Sequence, residues 1–361
     1  MKHLTSFTPI WSDSLGAKSF CTMVRTSDVT VLIDPGVAVM QPSFPATPIQ
    51  KQRWRDSALR EIKAAAQIAD IVIITHYHYD HFIPDPSLYK GKLLLAKNPN
   101  RYINRSQRQR AEGFFDRLCC SHGMKLEDLL VEPAPKECPD PMVDLPLARE
   151  KDFGDYTARR TELLAEGKKR FYRLAELWLS LPQIPEFALD RSTKVEFPEG
   201  RQIKIGKTVL RFTAPIFHGI EFSRVGWVFA LTIEIEGEKL LYTSDVGGPI
   251  IEDYAQWIID EEPDIILLDG PMTYMLGYTL NRINLDRAIA NGVRIVKKSG
   301  AKLIIYDHHL LRDVRYHKRT EEVWAAARGQ KVLTVAEYLG KTPVVLSHEE
   351  LEHGQEYSDR R

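Results

Sequence analysis

Residues 75–82, which read THYHYDHF, carry the side chains best suited to chemistry in this chain of 361 residues. Burying three imidazoles and a carboxylate so close together would cost free energy unless they had partners. Along an extended chain, His76 and His78 point to the same side and are close enough to hold one metal ion. Asp80 and His81 follow and reach a second ion beside it. Imidazole and carboxylate ligands suit zinc, with manganese or iron as alternatives, so the pattern predicts a centre for two divalent metal ions.

This motif directly follows IVIIT (71–75), an apolar run typical of a strand buried on both faces. Proteins with α/β sheets bind their ligands at the carboxyl ends of such strands. Periodicity elsewhere predicts an α/β protein. We expect strands at 20–25, 29–34, 71–75, 93–96, 209–214, 225–235, 239–245, 264–270 and 303–307. We expect helices at 49–69, 155–180, 250–261, 282–298 and 312–328.

Residues 98–194 interrupt the alternation with clustered prolines and one long helical stretch. We therefore predict a body made of 1–97 and 195–361, and an insertion at 98–194 that forms a lid or wall over the substrate site. One face of the predicted helix is apolar and is expected to pack on the body, the alternative being contact with a ligand. The residues of this face are Leu164, Phe171, Leu174 and Trp178.

Composition excludes several classes of protein. Lys and Arg number 49 and so do Asp and Glu, which argues against bulk attraction to nucleic acid or to an anionic membrane. We find no signal-peptide pattern and no run of 18 apolar residues. The four cysteines form no C-x-x-C pair and are expected to be reduced. The sequence thus predicts a cytoplasmic protein without a membrane partner, and its oligomeric state stays open.

The metal motif resembles the H-x-H-x-D-H signature of the metallo-β-lactamase superfamily, and further segments match that family's pattern in order. Asp34 in LIDPG matches an aspartate that supports the metal histidines. His218 in APIFHG matches an isolated histidine ligand, and Asp245 in TSDVGG matches the carboxylate that bridges two metals. The last histidine matches His308 or His309, of which we favour His308 because it directly follows a strand.

The resemblance implies a four-layer αββα sandwich, here with an insertion rich in helix and proline. It also implies a metal-dependent hydrolase in which two ions share a hydroxide, Asp80 helps to orient that nucleophile and Asp34 orients a ligand. One metal would take His76, His78 and His218. The other would take Asp80, His81 and His308, with Asp245 between the two.

The segments LIDPGVA, SDVGGPI and DHHLLRD look most like one largely archaeal branch of the superfamily. The likeness to that branch implies a fold and a metal site, but it does not identify a substrate. A nuclease subgroup of the superfamily carries a large cap between its fourth and fifth motifs. The stretch from Asp245 to His308 is too short for such a cap, so the likeness does not extend to that subgroup.

Single residues among these matches also have simpler interpretations. His218 alone is compatible with a structural histidine, Asp245 with a helix N-cap and Asp34 with a turn residue. The order of the motifs favours the metal-centre interpretation for all three. Four further histidines are expected to be solvated: His122, His317, His348 and His353.

A basic stretch at 97–110 gives the best indication of a substrate. In a helix, Arg101, Arg105 and Arg108 would share one face, and guanidinium groups suit phosphate oxygens. The alternative is a solvated basic face. Further candidates for the rim of the site are Arg224, Tyr274, Tyr278, Arg312 and His309.

The favoured function is hydrolysis of a phosphodiester or another phosphorylated substrate, with nucleic acid included. An ester, lactone or thioester hydrolase is an alternative on the same site. An iron-dependent oxidoreductase is another, although diiron relatives usually replace the counterpart of His78 with glutamate. The last alternative is a metal-stabilised binding protein without turnover.

Overall fold

The computed structural model describes residues 4–133, 137–327 and 331–347, and their strands form two large sheets and one short ribbon. The strands of the first sheet are β1 (Leu4–Ser12), β2 (Phe20–Thr26), β3 (Thr30–Ile33), β4 (Ile71–Ile74), β5 (Leu93–Ala96), β6 (Phe187–Ala188) and β7 (Lys194–Glu196). Their order is β1-β2-β3-β4-β5-β7-β6, and β3, β4, β5 and β7 run parallel. The strand β1, which the sequence analysis missed, lies at the edge, where Pro9 can be accommodated without a backbone N–H.

The second sheet and the ribbon follow the insertion. Their strands are β8 (Gln202–Ile205), β9 (Thr208–Phe212), β10 (Ile216–Phe217), β11 (Trp227–Val228), β12 (Leu231–Ile235), β13 (Glu238–Tyr242), β14 (Ile265–Asp269), β15 (Leu303–Asp307) and β16 (Lys331–Leu333). The sheet order is β16-β15-β14-β13-β12-β9-β8, with β13 to β16 parallel. The single strand predicted at 225–235 is wrong. The chain leaves its pairing with β10 after Val228 and enters the second sheet at Leu231.

Helices flank the two sheets. Their bounds are α1 (Pro48–Ile68), α2 (Arg105–Cys120), α3 (Pro146–Glu150), α4 (Thr157–Ser180), α5 (Glu252–Asp260), α6 (Arg282–Lys298), α7 (Tyr316–Arg319), α8 (Glu321–Ala325) and α9 (Val335–Tyr338). The single helix predicted at 312–328 is wrong. A 3₁₀ turn occupies His308–Arg312, and Thr320, whose backbone is not helical, separates α7 from α8.

The apolar side chains form three layers of core, as the αββα sandwich requires. Between the sheets lie residues of both, among them Val31, Ile73, Ile233 and Leu267. Helices α1, α2 and α4 cover the outer face of the first sheet. Helices α5 and α6 cover the outer face of the second sheet. The chain therefore folds as a four-layer sandwich.

The segment 98–194 shares its core with the body. Phe171 and Trp178 of α4 are buried in the same cluster as the outer face of the first sheet, and Leu164 and Leu174 pack against it, which confirms the predicted apolar stripe. Strands β6 and β7 at the end of this segment complete the first sheet.

Among the helices of the described residues, none has the length and apolar character needed to cross a membrane.

Candidate metal centre

The candidate ligands lie at the carboxyl ends of strands from both sheets. The loop that holds His76 follows β4, Asp245 lies after β13, and His308 directly follows β15. His218 follows β10, and its backbone N–H donates to the carbonyl oxygen of Gly226 at 3.1 Å. Parallel strands present their carboxyl ends at one edge of a sheet. Because the two sheets pack face to face, these residues meet at one buried place.

Three residues around the site have a left-handed backbone conformation, which residues with a side chain rarely adopt. Asp34, Ser244 and His308 have positive φ angles of 47°, 54° and 66°, which are uncommon for residues other than glycine. We call residues 75–82, which carry the metal motif, the signature loop. Gly36 lies against this loop so closely that an added Cβ would be 2.1 Å from the backbone nitrogen of His81. Only glycine permits this approach, which brings the end of β3 next to the metal motif.

His76, His78, His218 and Asp245 form what we call the first cluster. Nε2 of His76 lies 3.0 Å from Nδ1 of His78 and 3.3 Å from Oδ2 of Asp245. Nε2 of His218 lies 3.4 Å from the same carboxylate oxygen. Two imidazole nitrogens, those of His76 and His218, thus converge on Oδ2 of Asp245, and the half-buried His78 completes a group whose ligand atoms all lie within 4.8 Å of one another.

Asp80, His81 and His308 form the second cluster, beside the first. The Nε2 atoms of His81 and His308 are 3.2 Å apart. They lie 3.0 Å and 3.1 Å, respectively, from Oδ1 of Asp245. The second cluster therefore faces the other oxygen of the same carboxylate.

Both oxygens of Asp245 are buried, and neither accepts a hydrogen bond from any residue that the structure describes. The surrounding imidazole nitrogens approach them without hydrogen-bond geometry, and Nδ1 of His218 is also without a partner among these residues. A buried carboxylate without a donor is costly unless a cation compensates it. The donor set of imidazole and carboxylate is the one that divalent zinc, iron or manganese prefers, so these residues fit such ions.

Asp34 is a fully buried acceptor that connects the two sheets. Its Oδ1 accepts from the backbone N–H of Thr75 at 2.7 Å. Its Oδ2 accepts from the hydroxyl groups of Thr75 and Tyr242, at 2.7 Å and 2.8 Å, and lies 2.8 Å from Nδ1 of His81. Such a contact fixes the ring so that Nε2 points into the second cluster.

Asp13 and Arg312 support the other two members of the second cluster. Oδ1 of Asp13 lies 3.0 Å from Nδ1 of His308, and Oδ2 forms a short ion pair with Nε of Arg312. Nη2 of Arg312 donates to Oδ2 of Asp80 at 3.0 Å. The chain Asp80–Arg312–Asp13–His308 therefore ties both ligands to one buried guanidinium.

His309 lies between the clusters and the rim. Its Nδ1 is 2.9 Å from Oδ1 of Asp269, and its Nε2 is 3.9 Å from Oδ2 of Asp245. Asp269 is itself held by the backbone N–H of Gly247 at 2.8 Å. His308 lies nearer to Asp245 than His309 does and lies beside His81, whereas the ligand atoms of both histidines group with those of Asp245 and Asp269.

The electrostatic environments of the two clusters differ. Burial lowers the pKa of His76, His78 and His218 in the first cluster. Burial alone would also lower the pKa of His81, but the carboxylates of Asp245 and Asp34 outweigh this effect and raise the pKa to about 10. For His308 the carboxylates of Asp13 and Asp245 outweigh burial and hold the pKa well above its usual value.

The predicted basic face is wrong, because α2 begins at Arg105 and Arg101 lies outside it. Arg105 is exposed. Arg108 is buried within the insertion, where it donates to Oε1 of Glu112 at 2.7 Å and to the carbonyl oxygen of Pro182 at 2.8 Å. The structure therefore leaves Arg105 available at the surface and engages Arg108 elsewhere.

The other predicted rim residues lie at different depths. Tyr274 reaches the site through Arg312, whose Nη1 donates to its hydroxyl oxygen at 3.4 Å. Arg224 is exposed, and Tyr278 is 88% exposed. Of the histidines expected to be solvated, His317 is exposed, whereas His122 is half-buried beside Asp190. His348 and His353 lie outside the described residues.

Sequence reasoning missed several residues that contact the candidate ligands. Asp13 and Asp269 belong to no recognised motif. Asp13 directly follows β1, and Asp269 is the last residue of β14. Gln107 is fully buried in α2, and its Nε2 is 3.4 Å from Nε2 of His78. A lone amide in a basic helix carries no pattern that would have identified it.

Comparisons with known proteins agree with this architecture. The family model of the metallo-beta-lactamase superfamily matches residues 16–83. A UPF0282 protein of Korarchaeum cryptofilum is 34% identical over 339 residues, which cover 92% of this chain and 89% of that protein. A UPF0282 protein of Methanopyrus kandleri is 32% identical over 347 residues, which cover 92% of this chain and 93% of that protein.

Two solved structures are similar at lower identity. The metallo-beta-lactamase fold protein YhfI from Bacillus subtilis is 12% identical, with a TM-score of 0.42, and the match covers 92% of this chain and 95% of that one. Igni18, a metallo hydrolase from Ignicoccus hospitalis, is 11% identical, with a TM-score of 0.37 and coverage of 92% and 94%.

Proposed function

This chain belongs to the UPF0282 family within the metallo-β-lactamase superfamily, and from that premise we propose that it is a hydrolase whose site binds two divalent cations. Zinc is favoured because five of the seven proposed ligands are imidazoles: His76, His78, His81, His218 and His308. The proposed ligands are completed by Asp80 and Asp245.

The observation that carries this proposal is the position of Asp245 between the clusters. Oδ2 faces His76 and His218, and Oδ1 faces His81 and His308. Each oxygen is within 3.4 Å of two imidazole nitrogens and has no hydrogen-bond donor among the described residues. A carboxylate in this position is suited to join two cations, one per cluster.

Two divalent cations held by these residues would lower the pKa of a bound water towards neutrality and would polarise the phosphoryl or carbonyl oxygen of a substrate. Other residues of the chain orient the proposed ligands. Asp34 and Asp13 hold the rings of His81 and His308 by their Nδ1 atoms, which leaves each Nε2 directed inward. Arg312 occupies Oδ2 of Asp80, so that Oδ1 is available to a cation or to the attacking water.

His309 is the group best placed to contact the substrate. Asp269 fixes its Nδ1, so its Nε2 points towards the space beside Asp245. An imidazole held in this way can exchange a proton with a reacting oxygen. No serine or cysteine nucleophile is required for this chemistry.

We favour a phosphodiester as the substrate. Arg105 and Arg224 are both exposed, and the side chain of Asn104, next to Arg105, donates to the backbone carbonyl of Arg224 at 3.1 Å. The backbones at these two arginines therefore lie close together, and Arg224 belongs to the turn that follows His218. A pair of guanidinium groups there suits the anionic oxygens of a phosphodiester, including the backbone of a nucleic acid.

The test is to measure the metal content of the purified protein and its turnover of bis(4-nitrophenyl) phosphate, a 4-nitrophenyl ester, a lactone and a thioester. We expect two zinc ions per chain and turnover of the phosphodiester that Asp80→Ala abolishes. Charge reversal at Arg105 and Arg224 is expected to raise KM for the phosphodiester and to leave KM for the neutral ester unchanged.

Other outcomes of this test would contradict the proposal. Turnover of only the ester, lactone or thioester would replace the phosphodiester as substrate. One iron per chain with redox activity would indicate an oxidoreductase. Metal binding without turnover of any substrate, together with loss of stability in Asp80→Ala, would indicate a binding protein.

A further inference from the structure

The insertion contributes a fully buried polar side chain to the surroundings of the first cluster. Gln107 lies in the first turn of α2, and none of its surface is exposed. A buried amide is stable only when its donors and acceptor are paired. The partners of Gln107 come from two separate parts of the body, and both parts hold a candidate ligand.

One partner belongs to the signature loop. Oε1 of Gln107 accepts from the backbone N–H of Tyr77 at 3.1 Å, between His76 and His78. Nε2 of Gln107 is 3.4 Å from Nε2 of His78 itself. The amide thus contacts the signature loop both through the backbone and at a ligand ring.

The other partner belongs to the turn at 223–226. Nε2 of Gln107 donates to the carbonyl oxygen of Val225 at 2.7 Å. Asn104, the N-cap of α2, donates to the same oxygen at 2.6 Å. The next residue, Gly226, accepts from the backbone N–H of His218 at 3.1 Å, so the turn is connected directly to this ligand.

The fit between α2 and this turn is close. Gly226 has a φ of 113°, and an added Cβ would lie 3.1 Å from Nε2 of Gln107. The backbone conformation therefore favours glycine, and a Cβ here would also force the amide to shift by a few tenths of an ångström. The orientation of the amide is determined by its backbone partners, because one requires an acceptor and the other a donor.

We propose that Gln107 is a positioning residue that sets the distance between His78 and His218 and so makes the insertion a structural part of the first cluster. The segment 98–194 is then a fixed arm of the metal site, not a lid that opens over it. This inference rests on the cation binding of the proposed function but not on hydrolysis or on the substrate.

The test is the affinity of the cation-free full-length protein for Zn²⁺ and Co²⁺, measured by competition with a chromogenic chelator and by the absorption of bound Co²⁺. Gln107→Met keeps the size of the side chain and removes both hydrogen bonds. We expect one of the two binding events to weaken by about 10- to 100-fold, as is typical when a group that orients a metal ligand is lost. The other event is expected to keep its affinity, and the Co²⁺ spectrum of the affected site is expected to change.

Gln109→Met is the matched control, because Gln109 lies on the same helix and is exposed. It is expected to bind both ions like the wild type. Gln107→Glu retains the acceptor for Tyr77 and is expected to recover part of the spectrum. If Gln107→Met does not fold, Asn104→Ala replaces it, since Asn104 holds the same turn.

Equal affinities in Gln107→Met and Gln109→Met would overturn the proposal, as would unchanged binding in Asn104→Ala if that variant is used. Equal weakening of both binding events would also overturn it, because it would indicate a general loss of stability. Failure of the protein to hydrolyse any substrate would contradict the proposed function and leave this inference intact.

Discussion

Binding of Zn²⁺ to the cation-free protein at pH 7 is expected to release protons from the second cluster and none from the first. The carboxylates around His81 raise its pKa to about 10 despite burial, and those around His308 hold its pKa well above the usual value. The ring of His81 therefore carries a proton at pH 7 when no cation is present, and the raised pKa of His308 acts in the same direction. A cation that binds to Nε2 of His81 has to displace its proton.

The magnitude follows from the number of protons displaced. Each displaced proton makes the apparent affinity rise about tenfold per pH unit below the pKa of the group that loses it. The proton of His81 therefore gives a rise of at least about tenfold per pH unit from pH 7 upwards. In the first cluster, burial lowers the pKa of His76, His78 and His218, so these rings are neutral and the affinity is expected to be almost independent of pH.

The same shifts affect the stability of the cation-free protein. A histidine whose pKa is raised by folding stabilises the fold fully below its unfolded pKa, about 6.5. That contribution is lost as the pH rises through the folded value, which is about 10 for His81. The free energy of unfolding without cations is therefore expected to decrease between pH 7 and pH 10.

Isothermal titration calorimetry in buffers of different ionisation enthalpy measures the proton release directly. We expect at least one proton for one binding event and none for the other. Asp34→Asn removes one carboxylate from His81 and is expected to reduce the release. Asp190→Asn removes a carboxylate beside His122 on the surface and serves as the matched control. Proton release of zero in both events, or affinities that depend on pH equally, would refute this reasoning.

Three further perturbations test the residues around the site. Arg312→Met leaves the buried carboxylates of Asp13 and Asp80 without their cation, and it is expected to lower the free energy of unfolding of the cation-free protein by about 3–5 kcal/mol in urea denaturation. A loss below about 1 kcal/mol would show that the ion pairs of Arg312 do not stabilise the fold. His309→Ala is expected to reduce phosphodiester turnover about a hundredfold while metal content stays unchanged; loss of a metal ion would instead make His309 a ligand. Gly36→Ala is expected to weaken metal binding, measured by chelator competition, because the added Cβ meets the signature loop, and wild-type affinity would contradict that account.

Much of the architecture could be predicted from local patterns. The continuous apolar runs of β4 and β15 and the periodic pattern of α6 are signals contained within a few residues, and these elements lie where they were expected. β1 was missed because Pro9 and several polar residues obscure its alternation, which an edge strand tolerates. The helix at 312–328 was predicted because periodicity does not reveal that Thr320 leaves the helical conformation.

The surroundings of the ligands could not be predicted in the same way. His308 is held by Asp13, which lies 295 positions earlier in the chain, and nothing local to either residue indicates that contact. Gln107 was hidden for the same reason, since its partners lie in two distant segments. The positive φ angles of Asp34 and His308 were not predicted either, because most aspartates and histidines do not adopt this conformation. Motifs identified the candidate ligands, whereas tertiary contacts determine how those ligands are held.

The most direct test of the central claim is an anomalous-difference map from crystals of the protein loaded with Zn²⁺. We predict two peaks on opposite sides of the Asp245 carboxylate, one bounded by His76, His78 and His218 and the other by His81 and His308. A single peak, or two peaks that do not share Asp245, would contradict the claim that this carboxylate joins two cations.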